Sequence, residues 1–219
     1  MIKVIKLIVL IFCIPAFMYA GNLHVGADVG YRNGLSFKAQ GLISNLSKDI
    51  PFKMRLAATY SVVDPGNALD ARHIFINNNS NGTPEKDGRV WDIRLDLLFP
   101  VSWFSMKNAY FFAGPRYSWF TGQFDFVNGN EDFEIYSDAW GIGGGLETHY
   151  AINTKIILVL SAGLDYYVTD HMHGHDTTYY SDGETVNGRE DYTFDDADKA
   201  INQPKFVPSI SIGINYLLQ

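Results

Sequence analysis

Three histidines alternate with single residues in one stretch of the chain. His171, His173 and His175 are flanked by Asp170 and Asp176. In an extended segment alternate side chains share a face, so the three imidazoles could together bind a transition metal. The spacing matches no established metal motif, and the alternative is a polar surface loop. The sequence therefore offers His171, His173 and His175 as candidate metal ligands and predicts no cofactor elsewhere.

Other residues with ligand or catalytic chemistry lack a recognisable arrangement. Asp191, Asp195, Asp196 and Asp198 could supply carboxylates to Ca²⁺, but the glycine-anchored spacing of an EF-hand is missing. His149 could serve acyl transfer, yet no Ser-His-Asp set accompanies it. We predict that the protein is not an enzyme, with a lipid-modifying enzyme as an alternative.

Charged residues also interrupt an apolar segment, RVWDIRLDLLFP, at residues 89–100. The apolar positions are Trp91, Ile93, Leu95 and Leu97, and the charged ones are Asp92, Arg94 and Asp96. A strand points successive side chains to opposite faces, so this segment has one apolar face and one ionic face. The surroundings of each face depend on the rest of the chain.

The first twenty residues have the pattern of a secretory signal peptide. Lys3 and Lys6 precede an apolar stretch, residues 7–17, that is too short for a membrane span, and Ala20 ends a tolerable cleavage site. We predict a cleavable signal at 1–20 and a mature domain at 21–219. Cleavage removes Cys13, which is the only cysteine, so the mature chain has no thiol chemistry. Its negative net charge argues against binding nucleic acid.

Eight segments of the mature chain alternate apolar and polar residues, as amphipathic strands do. They are 22–31, 35–41, 52–62, 89–100, 110–119, 140–150, 156–168 and 209–218. Their connections are short at 44–50, 100–108 and 151–155, and long and polar at 64–88, 121–138 and 170–204. The first hairpin is tight, with Gly34 left-handed and Tyr31 opposite Leu35. Within 64–88, the apolar residues 74–76 indicate an ordered cap or a short extra strand.

Two closed barrels fit these strands: a soluble barrel with its apolar face inward, and a membrane barrel with that face outward. Aromatic residues mark both ends of the apolar face, as bilayer interfaces favour. They are Tyr31, Tyr60, Trp91, Tyr117, Trp119 and Trp140 at one end, and Phe52, Tyr150 and Tyr216 at the other. The polar face combines glycines with charges that nearly balance, as a narrow, closed lumen requires. The sequence therefore favours the membrane barrel.

In its signal, its eight strands and its alternating loop lengths, the chain resembles the small outer-membrane β-barrel proteins of the outer membrane protein A and outer membrane protein X type. The resemblance implies an all-β, eight-stranded antiparallel transmembrane barrel, with short periplasmic turns and long extracellular loops, in the outer membrane of a Gram-negative-type bacterium. The chain departs from the family in ending Tyr216-Leu217-Leu218-Gln219 rather than on Phe or Trp. A peptidoglycan-binding domain after the last strand is also not expected.

The predicted function is structural or surface interaction through the extracellular loops, around a plugged, polar lumen. A narrow pore for small solutes or ions is the other alternative. The predicted partners are outer-membrane lipid, lipopolysaccharide and an unidentified extracellular molecule, and the predicted state is a monomer. Within the lumen, Asp92, Arg94 and Asp96 should pair with Arg55 and Arg116 from neighbouring strands. Across the lumen they should meet Asp165 or Glu147.

Overall fold

A computed structural model describes residues 21–46, 51–103, 106–189 and 191–218. The predicted signal peptide, residues 1–20, lies outside the described residues, and its cleavage stays a prediction. Two of the short connections, 44–50 and 100–108, are described only in part.

Eight antiparallel strands close into a barrel, as the alternation predicts. Numbered along the chain, they are β1 (Asn22–Arg32), β2 (Gly34–Ser44), β3 (Lys53–Val63), β4 (Thr83–Trp103), β5 (Met106–Val127), β6 (Glu131–Ala151), β7 (Ile156–Thr169) and β11 (Phe206–Leu217). Each strand pairs with the next, β7 pairs with β11, and β11 pairs with β1. Closure leaves no strand edge around the barrel, which is what a sheet surrounded by hydrocarbon requires.

The first hairpin has the predicted register, with Tyr31 opposite Leu35. The left-handed residue, however, is Asn33, with φ 55°, and not Gly34. Asparagine tolerates this conformation because its short polar side chain forms local hydrogen bonds. The turn is tight, so the barrel wall is low at β1 and β2.

The wall is much higher at β4, β5 and β6, which have 21, 22 and 21 residues. The segment 121–138 was expected to be a polar loop, but most of it continues β5 and β6 into a long hairpin. Asn128 and Asn130, both with positive φ, form the turn at its tip. The barrel therefore carries a sheet that extends well beyond its rim.

Polarity reverses along these three strands at the level of Trp91, Trp119 and Trp140. Below that level the inward side chains include Asp92 and Arg116, whereas above it most of them are apolar, with Ser137 as a polar exception. The outward side chains change in the opposite sense, from exposed apolar residues to polar ones. Since a β-strand keeps its alternation of faces, the reversal marks a change of surrounding solvent.

The connections on the high side fold into a cap on the inward face of the extended sheet. The cap contains the helices α1 (Ala68–Phe75) and α2 (Phe194–Ala200) and the short strands β8 (His171–Gly174), β9 (Thr177–Tyr180) and β10 (Thr185–Val186). The apolar residues 74–76, expected in an ordered cap or a short strand, lie at the end of α1 and beside it. The buried residues Ile74, Phe75, Phe124, Phe126, Ile135, Met172, Tyr179 and Ala197 belong to one apolar cluster, the cap core.

Side-chain caps define where both cap helices begin. The Asn67 side chain accepts hydrogen bonds from the backbone N–H groups of Leu69 and Asp70. Thr193 and Asp196 form a reciprocal capping box at the start of α2. Among the described residues, no helix is long and apolar enough to cross a membrane.

The outward face of the barrel is apolar and carries the residues that the sequence predicts to face outward. Trp91, Ile93 and Leu95 are 54%, 46% and 42% exposed, whereas Asp92 and Asp96 are fully buried. Tyr150 and Tyr216 are exposed toward the opposite rim. An apolar band between two aromatic borders is the surface that a bilayer stabilises.

We predict that Leu95→Arg destabilises the folded protein in lipid vesicles by about 2–4 kcal/mol, because it places a charge in the hydrocarbon. Urea titration, followed by gel mobility of unboiled samples, measures the change. Leu69→Arg is the matched control, because Leu69 is exposed on cap helix α1. A negligible cost for Leu95→Arg would contradict the assignment of the faces.

Candidate functional site

The lumen contains a network of buried ion pairs centred on Asp165 of β7. The Arg94 Nη2 atom lies 2.5 Å from Asp165 Oδ2, and Arg116 Nε lies 3.0 Å from Oδ1. Arg32 Nη2 lies 3.3 Å from Oδ2. Three guanidinium groups from three other strands thus converge on one carboxylate. Every member is buried, so the pairing offsets a desolvation cost that each charge alone would impose.

The charges of the 89–100 segment join this network in the predicted manner. Asp96 pairs with Arg55 Nη2 at 2.7 Å and with Arg116 Nη1 at 2.7 Å. Across the lumen, Arg94 meets Asp165, as predicted. Glu147 pairs with Arg55. The predicted partners are therefore confirmed for Asp96 and Arg94, whereas Asp92 pairs with Arg32 and Arg94 instead of Arg55 or Arg116.

Arg32 and Tyr167 complete the network, and the sequence did not indicate their contacts. Arg32 Nη2 lies 3.3 Å from Asp92 Oδ2, and the Tyr167 hydroxyl donates a hydrogen bond to the same oxygen. Arg94 Nε lies 3.4 Å from Asp92 Oδ1. In the sequence, nothing distinguishes Tyr167 from the other aromatic residues of an alternating strand. Closure of the barrel brings its side chain next to Asp92.

Apolar clusters lie on both sides of the ionic layer. Toward the short-turn end, Leu42, Leu98 and Phe112 are buried against one another inside the barrel. Toward the other end lies the cap core, which begins at Val90 and Phe120. The ion pairs are therefore shielded from water at both ends, and a lower local dielectric strengthens them.

His149 points into the lumen near the short-turn end, where its side chain is buried. Its Nε2 lies 2.6 Å from Glu147 Oε1, and its Nδ1 lies 3.4 Å from Lys53 Nζ. The Lys53 ammonium also lies over the Tyr110 ring, 3.9 Å from the ring centroid. These contacts tie His149 into the charge network.

The lumen glycines leave room for long side chains, as the sequence predicts. A Cβ on Gly143 would lie 1.8 Å from Asp165 Oδ1 and 2.9 Å from Arg116 Nε. A Cβ on Gly26 would lie 1.9 Å from Asn215 Oδ1. Glycine is required at these positions for space.

A second buried charge holds the cap together and was missed in the sequence. Arg72 of α1 is fully buried and forms an ion pair with Glu131 at the start of β6. Its Nη1 donates to the Asn81 carbonyl at 2.7 Å, and its guanidinium lies 4.2 Å from the centroid of the Phe126 ring. The hydrogen bond from Arg72 lowers the pKa of the Glu131 carboxyl. Nothing in the segment 64–88 indicates that this arginine is buried, because its ion-pair partner Glu131 and the Phe126 ring are distant in sequence.

The three candidate metal ligands contact different partners. His171 lies 2.6 Å from Asp170, His173 Nδ1 lies 2.8 Å from Thr178 Oγ1, and His175 Nδ1 lies 2.9 Å from Asp176 Oδ1. His171 and His173 are on one face of β8, whereas His175 is in the turn with φ 54°. Among the described residues no group of three acidic, histidine or cysteine side chains is placed to hold a metal ion. Metal binding by these histidines stays a prediction.

The candidate calcium carboxylates also point to separate partners. Asp196 belongs to the capping box of α2, and Asp198 forms an ion pair with Lys205. Asp198 Oδ1 also accepts a hydrogen bond of 2.7 Å from Gln203. The Asp196 and Asp198 carboxylates therefore serve local structure.

We predict that Gly143→Ala lowers the stability of the barrel by about 1–3 kcal/mol, because the added methyl group overpacks the Asp165 network. Gly41→Ala is the matched control, since a Cβ there meets nothing within 4 Å. Its effect should stay within about 0.5 kcal/mol. Urea titration in vesicles compares the two variants. Equal stability of both would show that the lumen has spare volume around Asp165.

Solved structures of outer-membrane proteins resemble the chain. A major outer membrane protein from Thermus thermophilus has a TM-score of 0.74 at 20% identity, covering 91% of this chain and 100% of that one. Ail of Yersinia pestis has a TM-score of 0.47 at 9% identity, covering 91% of this chain and 99% of that one. Neisserial surface protein A has a TM-score of 0.41 at 13% identity, covering 89% of this chain and 96% of that one. Of these three, the Thermus protein alone has a TM-score above 0.5.

No family model matches the chain, and a search of curated proteins found no match. The likeness to the Thermus protein, at 20% identity, concerns the fold. It agrees with the closed ring of strands. The chain therefore has the fold of the small eight-stranded antiparallel β-barrels of bacterial outer membranes.

Proposed function

We propose that the mature chain, residues 21–219, spans the outer membrane of a Gram-negative-type bacterium and acts as a surface-interaction protein through its cap. The observation that carries this proposal is the reversal of polarity along β4, β5 and β6. One sheet has an apolar outside below the tryptophans and a polar outside above them. That pattern fits strands that leave a bilayer and continue into water.

The high wall places an ordered cap on the outer surface. Its sheet and its two helices share an apolar core, and Arg72 ties α1 to Glu131, close to the tip of the long hairpin. An ordered surface loses less conformational entropy when it binds a partner than a set of mobile loops does. Outer-membrane lipid, lipopolysaccharide and an extracellular molecule are the proposed partners, and we propose a monomer.

The sealed lumen favours this role over a narrow pore. The ionic layer around Asp165 fills the barrel between the Leu42–Leu98–Phe112 cluster and the cap core. Eight strands leave an interior just wide enough for side chains. An ion crossing the lumen would have to break several buried ion pairs, each costly to separate.

We also propose that the protein is not an enzyme. The residue most suited to acyl transfer, His149, contacts Glu147 and Lys53 inside the lumen. Its imidazole is buried, away from the outer rim where a lipid ester would bind. A lipid-modifying activity would require a nucleophile beside an accessible base.

The pore alternative has a direct electrical test. We expect the folded protein to give no large, stable conductance in planar bilayers, because charged side chains fill its lumen. Heat-modifiable gel mobility of the same sample verifies that the barrel is folded. Stable single-channel steps from folded protein would favour a pore.

A matched pair of threonines tests location and orientation together. Thr185 is exposed in the cap and Thr154 is exposed in the short turn between β6 and β7, and the mature chain has no cysteine. We expect a membrane-impermeant maleimide to label Thr185→Cys on intact cells. It should label Thr154→Cys only after the outer membrane is permeabilised. The reverse pattern would contradict the orientation, and no labelling of either variant on intact cells would contradict surface exposure.

A further inference from the structure

A polar cleft lies on the low side of the barrel wall, between the β1–β2 turn and cap helix α2. Its volume is about 590 Å³, and Tyr31, Asn33, Lys199, Asn202, Gln203 and Phe206 are among its lining residues. The cleft exists because β1 and β2 end at Asn33, whereas α2 lies above this turn. Backbone hydrogen bonds to the segment after β3 hold α2 in that position. These bonds join Asn67 N to Ala200 O at 2.8 Å and Asn202 N to Pro65 O at 3.0 Å.

The cleft opens at the outer border of the apolar band. Tyr31 and Phe206, at its lower edge, are 57% and 62% exposed on the outward face of β1 and β11. Tyr31 belongs to the same aromatic border as Trp91 and Trp140. In a bilayer this border lies at the level of the lipid headgroups. A lipid beside β1 and β11 would therefore have its headgroup at the mouth of the cleft.

Gln203 lines the cleft and has an unsatisfied hydrogen-bond acceptor. Its side chain is only 5% exposed, and its Nε2 donates to Asp198 Oδ1 at 2.7 Å. Its Oε1 is buried and has no hydrogen-bond partner among the described residues. A buried acceptor without a donor is costly, so this position favours a ligand that supplies an O–H or N–H group.

The charges around the cleft leave one ammonium group available for an anion. The Asp64 carboxylate lies 2.7 Å from Lys86, and Asp198 forms an ion pair with Lys205. Lys199 lines the same cleft, and no carboxylate of the described residues forms an ion pair with it. The side-chain amides of Asn33 and Asn202 add donors and acceptors nearby. The lining thus combines amides that can bind hydroxyl groups with the Lys199 cation and with three charged side chains, Asp64, Asp198 and Lys205, that already have partners.

We propose that this cleft binds the phosphorylated sugar headgroup of an outer-leaflet glycolipid. A sugar hydroxyl donates to Gln203 Oε1, the phosphate accepts from the Lys199 ammonium, and the acyl chains descend along the exposed Tyr31 and Phe206 rings. The proposal rests on the outer-membrane location proposed above, and it gives the lipid partner a defined site.

Titration of the folded protein in non-ionic detergent with purified lipid A, a bisphosphorylated diglucosamine lipid, tests the site by native mass spectrometry. We expect one tightly bound lipid per chain. Lys199→Gln and Gln203→Leu should each weaken binding about tenfold, the effect of losing one charge-assisted or buried hydrogen bond. Lys199→Arg should retain binding. Unboiled gel mobility verifies that every variant is folded.

Two variants outside the cleft serve as matched controls. Lys155→Gln changes a lysine in the short turn between β6 and β7, and Gln123→Leu changes a glutamine on the outward face of the β5 extension. Both should bind lipid A as the unchanged protein does. If the cleft variants bind as tightly as these controls, the proposal is overturned.

The source of the phosphate is tested in the same titration. Inorganic phosphate at the concentration of the lipid should not displace it, because the sugar and the acyl chains contribute contacts. Displacement would indicate a site for free phosphate and overturn the glycolipid assignment. The result of this titration can be distinguished from the test of the proposed function. Cysteine labelling reports membrane location without the cleft, and detergent binding reports the cleft without the membrane.

Discussion

The ion pairs of Asp165 are the interaction on which the barrel depends. Three guanidinium groups, from β1, β4 and β5, meet one carboxylate on β7, so the network joins opposite sides of the lumen. Such charges would be prohibitively expensive without each other, because removing a single ion from water costs several kcal/mol even after relaxation. The network therefore requires a closed ring of strands in one register. Slipping any strand by one residue would move its charge to the apolar outer face.

The second constraint is the change of solvent along β4, β5 and β6. Hydrocarbon outside the barrel selects apolar outward side chains and forces the polar ones into the lumen. Once the strands leave that environment, water selects polar outward side chains, and the apolar ones collect on the inward side. The cap core follows from this exchange, since the inward faces of the extended strands need apolar partners. The helices α1 and α2 and the β8–β9 hairpin supply them.

The sequence predicts the part of this structure that depends on local alternation. The strand faces, the lumen position of Asp92, Arg94 and Asp96, and the partners of Arg94 and Asp96 could be derived, because period-two patterning and charge balance constrain them strongly. The partners of Asp92, which are Arg32 and Tyr167 on distant strands, could not. The cap could not. Residues 121–138 contain charged residues that suggest a loop, although Phe124, Phe126, Phe133 and Ile135 keep the alternation of a strand. If the apolar side chains of this segment had been assigned to the inward face, the alternation would have indicated the extended hairpin. Arg72 gave no local signal, because its burial depends on Glu131 and Phe126, which are distant in sequence.

The two constraints together explain why the candidate binding surfaces lie outside the lumen. A lumen filled by mutually paired charges and closed by apolar clusters on both sides keeps its described polar groups out of reach of a passing solute. The cap has polar groups that a solute can reach, because its helices rest on an uneven wall. The wall is high at β4 to β6 and low at β1 and β2. Helix α2 reaches across this step with only Ala197 and Ala200 of its side chains buried. Polar residues around it, such as Gln203, are consequently buried without a full set of partners. A lipid headgroup can form hydrogen bonds with such unpaired polar groups beside the membrane border. The asymmetry of the wall therefore favours the low side as the binding surface.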